Sequence, residues 1–87
     1  MKIRDGFILK KIAGTFVAVP VRQNAVDMNA IIKLSESGAM LWSALEKGAD
    51  RDDLIAALTA EYEVDKERAA EDIDRFIMRL QDAGVLE

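Results

Sequence analysis

At Ser35 the spacing of apolar residues changes. Just before it, in MNAIIKL (28–34), Met28, Ala30, Ile32 and Leu34 alternate onto one face of an extended chain, and Asn29, Ile31 and Lys33 onto the other. Just after it, in LSESGAMLWSALEK, Leu41, Trp42 and Leu45 share one face of a helix. No single element carries both periods, so a strand ends and a helix begins at this junction. Sheet-like sequence lies before it and helix-like sequence after it, which confines the chain to folds that make a sheet first and cover it with helices.

The segments before the junction read as strands. FILKKI (7–12) and TFVAVP (15–20) are rich in β-branched and aromatic residues, and Ala13-Gly14 between them reads as a tight hairpin turn. Pro20 has no N–H for a ladder, so the second strand ends there or lies at an edge there. RQNAVD (22–27) is a polar loop, and 28–34 is the third strand.

Three helices are expected after the junction, each with a start signal. Ser35 caps a helix over about 36–47, closed by Gly48. Asp50 caps a second over about 51–62, with Asp52 and Asp53 in its first turn, where negative charge suits the dipole, and Leu54, Ile55, Leu58 and Tyr62 at helical spacing. Asp65 caps a third over about 66–83, with Ala69, Ala70, Ile73, Phe76, Ile77 and Leu80 as its apolar stripe. Gly84 ends it, and Val85-Leu86 can fold back on the core. Trp42 and Tyr62 are expected in the core. Gly38 lies on the buried face of the first helix, where a missing side chain would admit another backbone or a large ring. The expected fold is a single α+β domain over residues 1–87: a three-stranded antiparallel sheet followed by three helices, an element list similar to a winged helix-turn-helix.

Composition narrows the chemistry. The chain of 87 residues has no cysteine and no histidine. Disulfides, Cys/His zinc sites, thiol nucleophiles and Ser-His-Asp triads are therefore excluded. No paired-carboxylate or Gly-rich phosphate motif is apparent, so neither an enzyme nor a resident cofactor is expected. The only apolar run near the start is Phe7-Ile8-Leu9, too short for a signal peptide or a membrane span, and a cytoplasmic protein without membrane contact is expected. Charge is unevenly spread: residues 1–49 have a net charge of +3 and residues 50–87 of −7. The segment 65–83 holds six acidic and four basic residues, the wrong balance for a helix that enters a DNA groove.

The junction motif LSESGAMLW resembles the LNxTGxxIW signature of the coenzyme PQQ synthesis protein D (PqqD) family. Other family-like pieces follow in order along residues 7–87: Phe7, Leu9, Val19 and Pro20; then Asp50, Leu54, Leu58 and Tyr62; then Val64 and Asp65; then Asp72, Ile73, Phe76, Ile77 and Leu80; and a terminal Gly-Val-Leu. Ser35 and Ser37 replace the usual Asn and Thr, and both keep a capping oxygen. The resemblance implies a RiPP recognition element, a peptide-binding domain that is not itself catalytic. Such a domain holds the leader of a ribosomally made precursor peptide as an added strand along strand 3, beside helix 3. It presents that leader to a modifying enzyme, typically a radical SAM protein, as in PQQ biosynthesis or a related peptide pathway.

Carried onto this sequence, the peptide-binding residues would be Asn29, Ile31, Ile32 and Lys33 from strand 3, and Asp72, Arg75, Phe76 and Arg79 from helix 3. On that helix Asp72 and Arg79 lie on one side of the stripe, and Asp74 and Gln81 on the other. Arg75 and Arg79 are suited to acidic leader residues. Each has a plainer reading too: Asp72–Arg75 is an ordinary i,i+3 surface pair, Phe76 suits the core, and Met78, opposite the stripe, is a single exposed Met. The runner-up function is a winged-helix nucleic-acid-binding or transcription-regulatory domain. An open edge on strand 3 would also permit a homodimer.

Overall fold

The computed structural model describes residues 1–21 and 31–87. Its elements are β1 (Phe7–Ile12), β2 (Thr15–Pro20), β3 (Ile32–Leu34), α1 (Glu36–Lys47), α2 (Arg51–Glu61) and α3 (Lys66–Ala83). The sheet is antiparallel with order β1-β2-β3. The chain is thus α+β, a three-stranded antiparallel sheet followed by three helices.

The hairpin sets the hydrogen-bond phase of the whole sheet. Ala13 (φ 50) and Gly14 (φ 81) both have positive φ, the mark of a two-residue type I′ turn, so the closing pair Ile12↔Thr15 is hydrogen-bonded. Bonded pairs then alternate along the ladder. Thr15, Val17 and Val19 turn their backbone groups toward β1, and Val21 continues the series by donating its N–H to the Gly6 carbonyl at 2.6 Å. Phe16 and Ala18 must turn the other way, toward their partners Leu34 and Ile32 on β3. Lys33, opposite Val17, is left with its N–H and C=O both pointing away from the sheet. The Ile31 carbonyl points the same way, because it lies opposite the Ile32 N–H across one planar peptide.

The described residues include only the end of the expected third strand, from Ile31 on. Strand pairing covers Ile32–Leu34, and Ile31 is described but carries no strand assignment. Residues 28–30, with Asn29 among them, and the loop expected over 22–27 lie outside the described residues.

The core fills the space between the sheet and the helices. Ala18, Trp42, Leu45, Leu54, Ala69, Ile73 and Leu80 are fully buried, and Ile32 and Leu34 face them from β3. Trp42 meets the edge of Phe7 with ring centroids 5.8 Å apart. Among the described residues its indole N–H has no acceptor. Lys11 sits on the core side of β1 by alternation, and its ammonium lies 5.3 Å from the Phe16 ring centre.

The caps explain the helix limits. Ser35 accepts from the Gly38 N–H at 3.1 Å, and Asp65 accepts from the Arg68 N–H at 2.7 Å. Asp50 and Asp53 form a reciprocal capping box, each side chain taking the other's backbone N–H. Two expectations need correcting. Helix α2 stops at Glu61, and Tyr62, its C-cap with extended backbone (φ −130, ψ 146), is 36 % exposed rather than in the core. Gly38 is crowded first by its own turn and not by a distant backbone or a ring: the nearest atoms to a Cβ there would be Ser35 Oγ at 3.3 Å and Leu34 Cδ2 at 3.5 Å. The glycine makes room for the strand-to-helix turn itself.

The two termini close the fold together. Ile3 is buried and bridges Leu86, Arg4 donates to the Val85 carbonyl at 2.8 Å, and Glu87 donates to the Lys2 carbonyl at 2.9 Å. Val85 is buried beneath this pairing, so the tail after Gly84 does fold back.

Candidate functional site

The candidate site is the outer rim of β3 and the flank of α3 beside it. Among the described residues no other strand pairs with that rim. The hydrogen-bond phase presents three backbone groups there: the Ile31 carbonyl and the Lys33 N–H and carbonyl. An edge with groups of this kind can template another extended chain. The side chains of Ile32 and Leu34 are buried in the core, which fixes the register of the edge, since a one-residue slip would expose both. Lys33 is exposed and Ile31 half-buried on the opposite face.

Helix α3 forms the wall of this edge. Its buried stripe, Ala69, Ile73 and Leu80, presses on the core and leaves two flanks. One flank carries Arg79, whose guanidinium donates to the Lys33 carbonyl and so joins helix to strand across 46 positions of sequence. Asp72 lies on the same side two turns earlier and accepts from Arg75 and, at 3.4 Å, from Arg68. Phe76 lies half-buried between this flank and the core. The other flank carries Asp74, which takes a two-pronged bond from Arg51 of α2 at 2.7 and 3.0 Å. That bond holds the Asp74 carboxyl below the ordinary Asp range and raises the Arg51 guanidinium above its own. Both groups are well exposed, so solvent screens most of the effect on stability.

Of the eight expected site residues, Arg79 meets the edge directly at the Lys33 carbonyl; Ile31, Ile32 and Lys33 follow one another along that edge, and Asp72 and Phe76 share Arg79's side of the helix. Ile32 contributes its backbone register, since its side chain is in the core. Arg75 lies further round the exposed face and reaches the group only through Asp72. Asn29 is outside the described residues. Sequence reasoning missed that the Lys33 carbonyl is already held by Arg79. The hairpin could have hinted at it, because a two-residue turn fixes the phase of β2, but the register of β3 against β2 is not written in either strand.

Other features of the molecule do not compete with this edge. An open depression of about 590 Å³ lies between α2 and the start of α3, away from the strand edge, with Ile55, Thr59, Val64 and Lys66 in its lining. Among the described residues, no group of three or more carboxylates is placed to hold a metal ion. No helix among them is long and apolar enough to cross a membrane.

Residues 8–86 match the family model for Coenzyme PQQ synthesis protein D (PqqD). The chain belongs to the PqqD family. Among solved structures, TbiB1 in complex with the TbiA(beta) leader peptide is 28 % identical, with a TM-score of 0.77 over 100 % of this chain and 95 % of that one. Lasso peptide synthetase B1 complexed with the leader peptide is 23 % identical, with a TM-score of 0.72 over 97 % and 93 %, and shares the fold. Among curated proteins none matches the chain.

Proposed function

We propose that this PqqD-family chain is a leader-peptide-binding domain, a RiPP recognition element acting over residues 1–87 as one unit. The leader of a ribosomally made precursor lies along the rim of β3 as an added strand, walled by the Asp72–Phe76–Arg79 flank of α3. The observation that carries this reading is the outward pair of backbone groups on Lys33, on an edge with no described partner strand and with a helix beside it. The family match and the likeness to TbiB1 in complex with a leader peptide support it.

The arrangement assigns separate jobs to backbone and side chains. Ladder bonds give affinity with little reading of sequence; the α3 flank and Ile31 supply selectivity. The domain itself performs no chemistry in this reading. It holds the leader in the cytoplasm so that the rest of the precursor reaches a partner enzyme, a radical SAM protein in a PQQ-type or related pathway. A second copy pairing through the same rim would exclude the peptide, so any homodimer of that kind competes with function. Nucleic-acid binding finds no support in α3, where the exposed surface is mixed in charge with an acidic excess.

The test is an amide chemical-shift titration with the leader segment of the precursor. Residues 31–35 and the Asp72, Phe76 and Arg79 positions should move together. The Arg51–Asp74 side of α3 should stay still. Shifts confined to the Lys10–Thr15 hairpin would reject the β3 edge as the binding surface.

A further inference from the structure

We infer that Arg79 guards the β3 edge and then selects what binds there: it holds the Lys33 carbonyl while the edge is empty, yields it to an incoming backbone N–H, and pairs with an acidic side chain of the incoming peptide. This inference rests on the leader-binding reading and adds to it the chemistry that the peptide must carry.

The Lys33 carbonyl points off the sheet, where an added strand would need it as an acceptor. It already accepts from the Arg79 guanidinium. A strand docking at Lys33 finds one of the two backbone groups it needs occupied by a charged donor. Charged donors bind a carbonyl more strongly than a neutral peptide N–H does. An exchange of one for the other therefore costs affinity unless the displaced guanidinium gains something. Once displaced, it remains tethered to the α3 wall directly beside the added strand. A carboxylate on the peptide residue facing α3 at that point returns the charge-assisted bond, in the two-pronged geometry that suits Arg and not Lys.

The guard also explains how a single chain can keep an edge open. Free edge strands invite pairing with other copies, and natural sheets blunt them with charged side chains. Here the blunting group comes from a helix rather than from the strand, so it can be removed by the right partner. Arg75 does not share this role: it is held by Asp72 on the exposed face and donates to no backbone of β3 among the described residues.

The experiment is selection from a bead-displayed random dodecapeptide library, run on the wild type, on Arg79→Met and on Arg79→Lys. Arg79 is exposed, so all three should fold, and thermal melts check that they do. Peptides selected by the wild type should show Asp or Glu enriched at one aligned position. That enrichment should vanish with Arg79→Met, weaken with Arg79→Lys, and leave the apolar positions of the motif unchanged. Replacing the acidic residue of a selected peptide by its amide should lower affinity about 3- to 5-fold for the wild type, the range of an accessible ion pair, and not at all for Arg79→Met. Equal acidic enrichment in the wild type and Arg79→Met, or none in the wild type, overturns the role given to Arg79 while leaving strand addition standing. If no protein selects any peptide, the leader-binding reading fails and this inference fails with it.

Discussion

The two flanks of α3 carry similar chemistry and do different work. Each presents an aspartate and each is tied to another element by an arginine. On one side Arg51 of α2 grips Asp74 through two bonds, closing the helix pair. On the other, Arg79 reaches a backbone carbonyl of β3, and Asp72 is engaged only by arginines of its own helix. The first contact joins two side chains that have no other evident task. The second occupies a backbone group that an added strand would need. The difference shows that the neighbour of a surface residue, more than its type, decides whether it serves the fold or a partner.

Phe76 gives the largest expected effect, because it belongs partly to the core and partly to the strand-side flank. Phe76→Ala should lower stability by about 2 kcal/mol, less than for a fully buried Phe because the ring is half-buried. It should also weaken leader binding beyond what the loss of folded protein explains. Urea denaturation and peptide titration on the same sample separate the two. A loss of stability with unchanged affinity among folded molecules would assign Phe76 to the core alone.

Much of this is legible in the sequence. The junction at Ser35, the caps Asp50 and Asp65, and the two flanks of α3 all follow from spacing and capping chemistry, which are local. What was not legible depends on neighbours. Nothing in α3 itself records that the Asp72–Arg79 side meets β3 and the Asp74 side meets α2. Tyr62 continues the spacing of α2 but falls on the residue where the helix ends, so its ring is left at the surface. The spacing puts Gly38 on the buried face, yet what crowds it is the preceding turn, a contact that depends on how tightly Leu34 and Ser35 fold over the helix start. Ile3, a lone apolar residue among charges, gave no periodic signal, and only the pairing of the two termini shows why it is buried.

The strand edge offers a sharper break between the flanks. Lys33→Pro removes the one backbone donor shown to point off β3, and leaves the ladder groups of Ile32 and Leu34 intact. Leader affinity should fall about tenfold, the loss of a ladder bond together with the crowding of the ring against an added strand, while the urea midpoint changes little. Lys33→Ala is the control: it removes the charge, keeps the N–H, and should retain most of the affinity. If the alanine and proline variants bind equally well, the peptide does not use this backbone, whatever surface it touches.

The smallest effect belongs to the opposite flank, and its sign is set by the Asp74 titration. The bond from Arg51 lowers the Asp74 pKa in the folded chain, so the folded state favours the charged carboxylate more than the unfolded state does. The stability this contributes is fully present above the ordinary Asp range. It is lost as pH falls through that range and is gone once the pH is below the depressed folded value. Asp74→Asn should therefore lower the urea midpoint slightly at pH 7, and the wild type and the variant should converge on acidification. Added salt should narrow the gap at pH 7 as well, because both side chains are accessible to solvent. At each of these conditions leader affinity should be the same for Asp74→Asn as for the wild type. A fall in affinity for Asp74→Asn matching that of Lys33→Pro would show that the two sides of α3 are coupled through the helix, and the division of labour drawn between them would have to be abandoned.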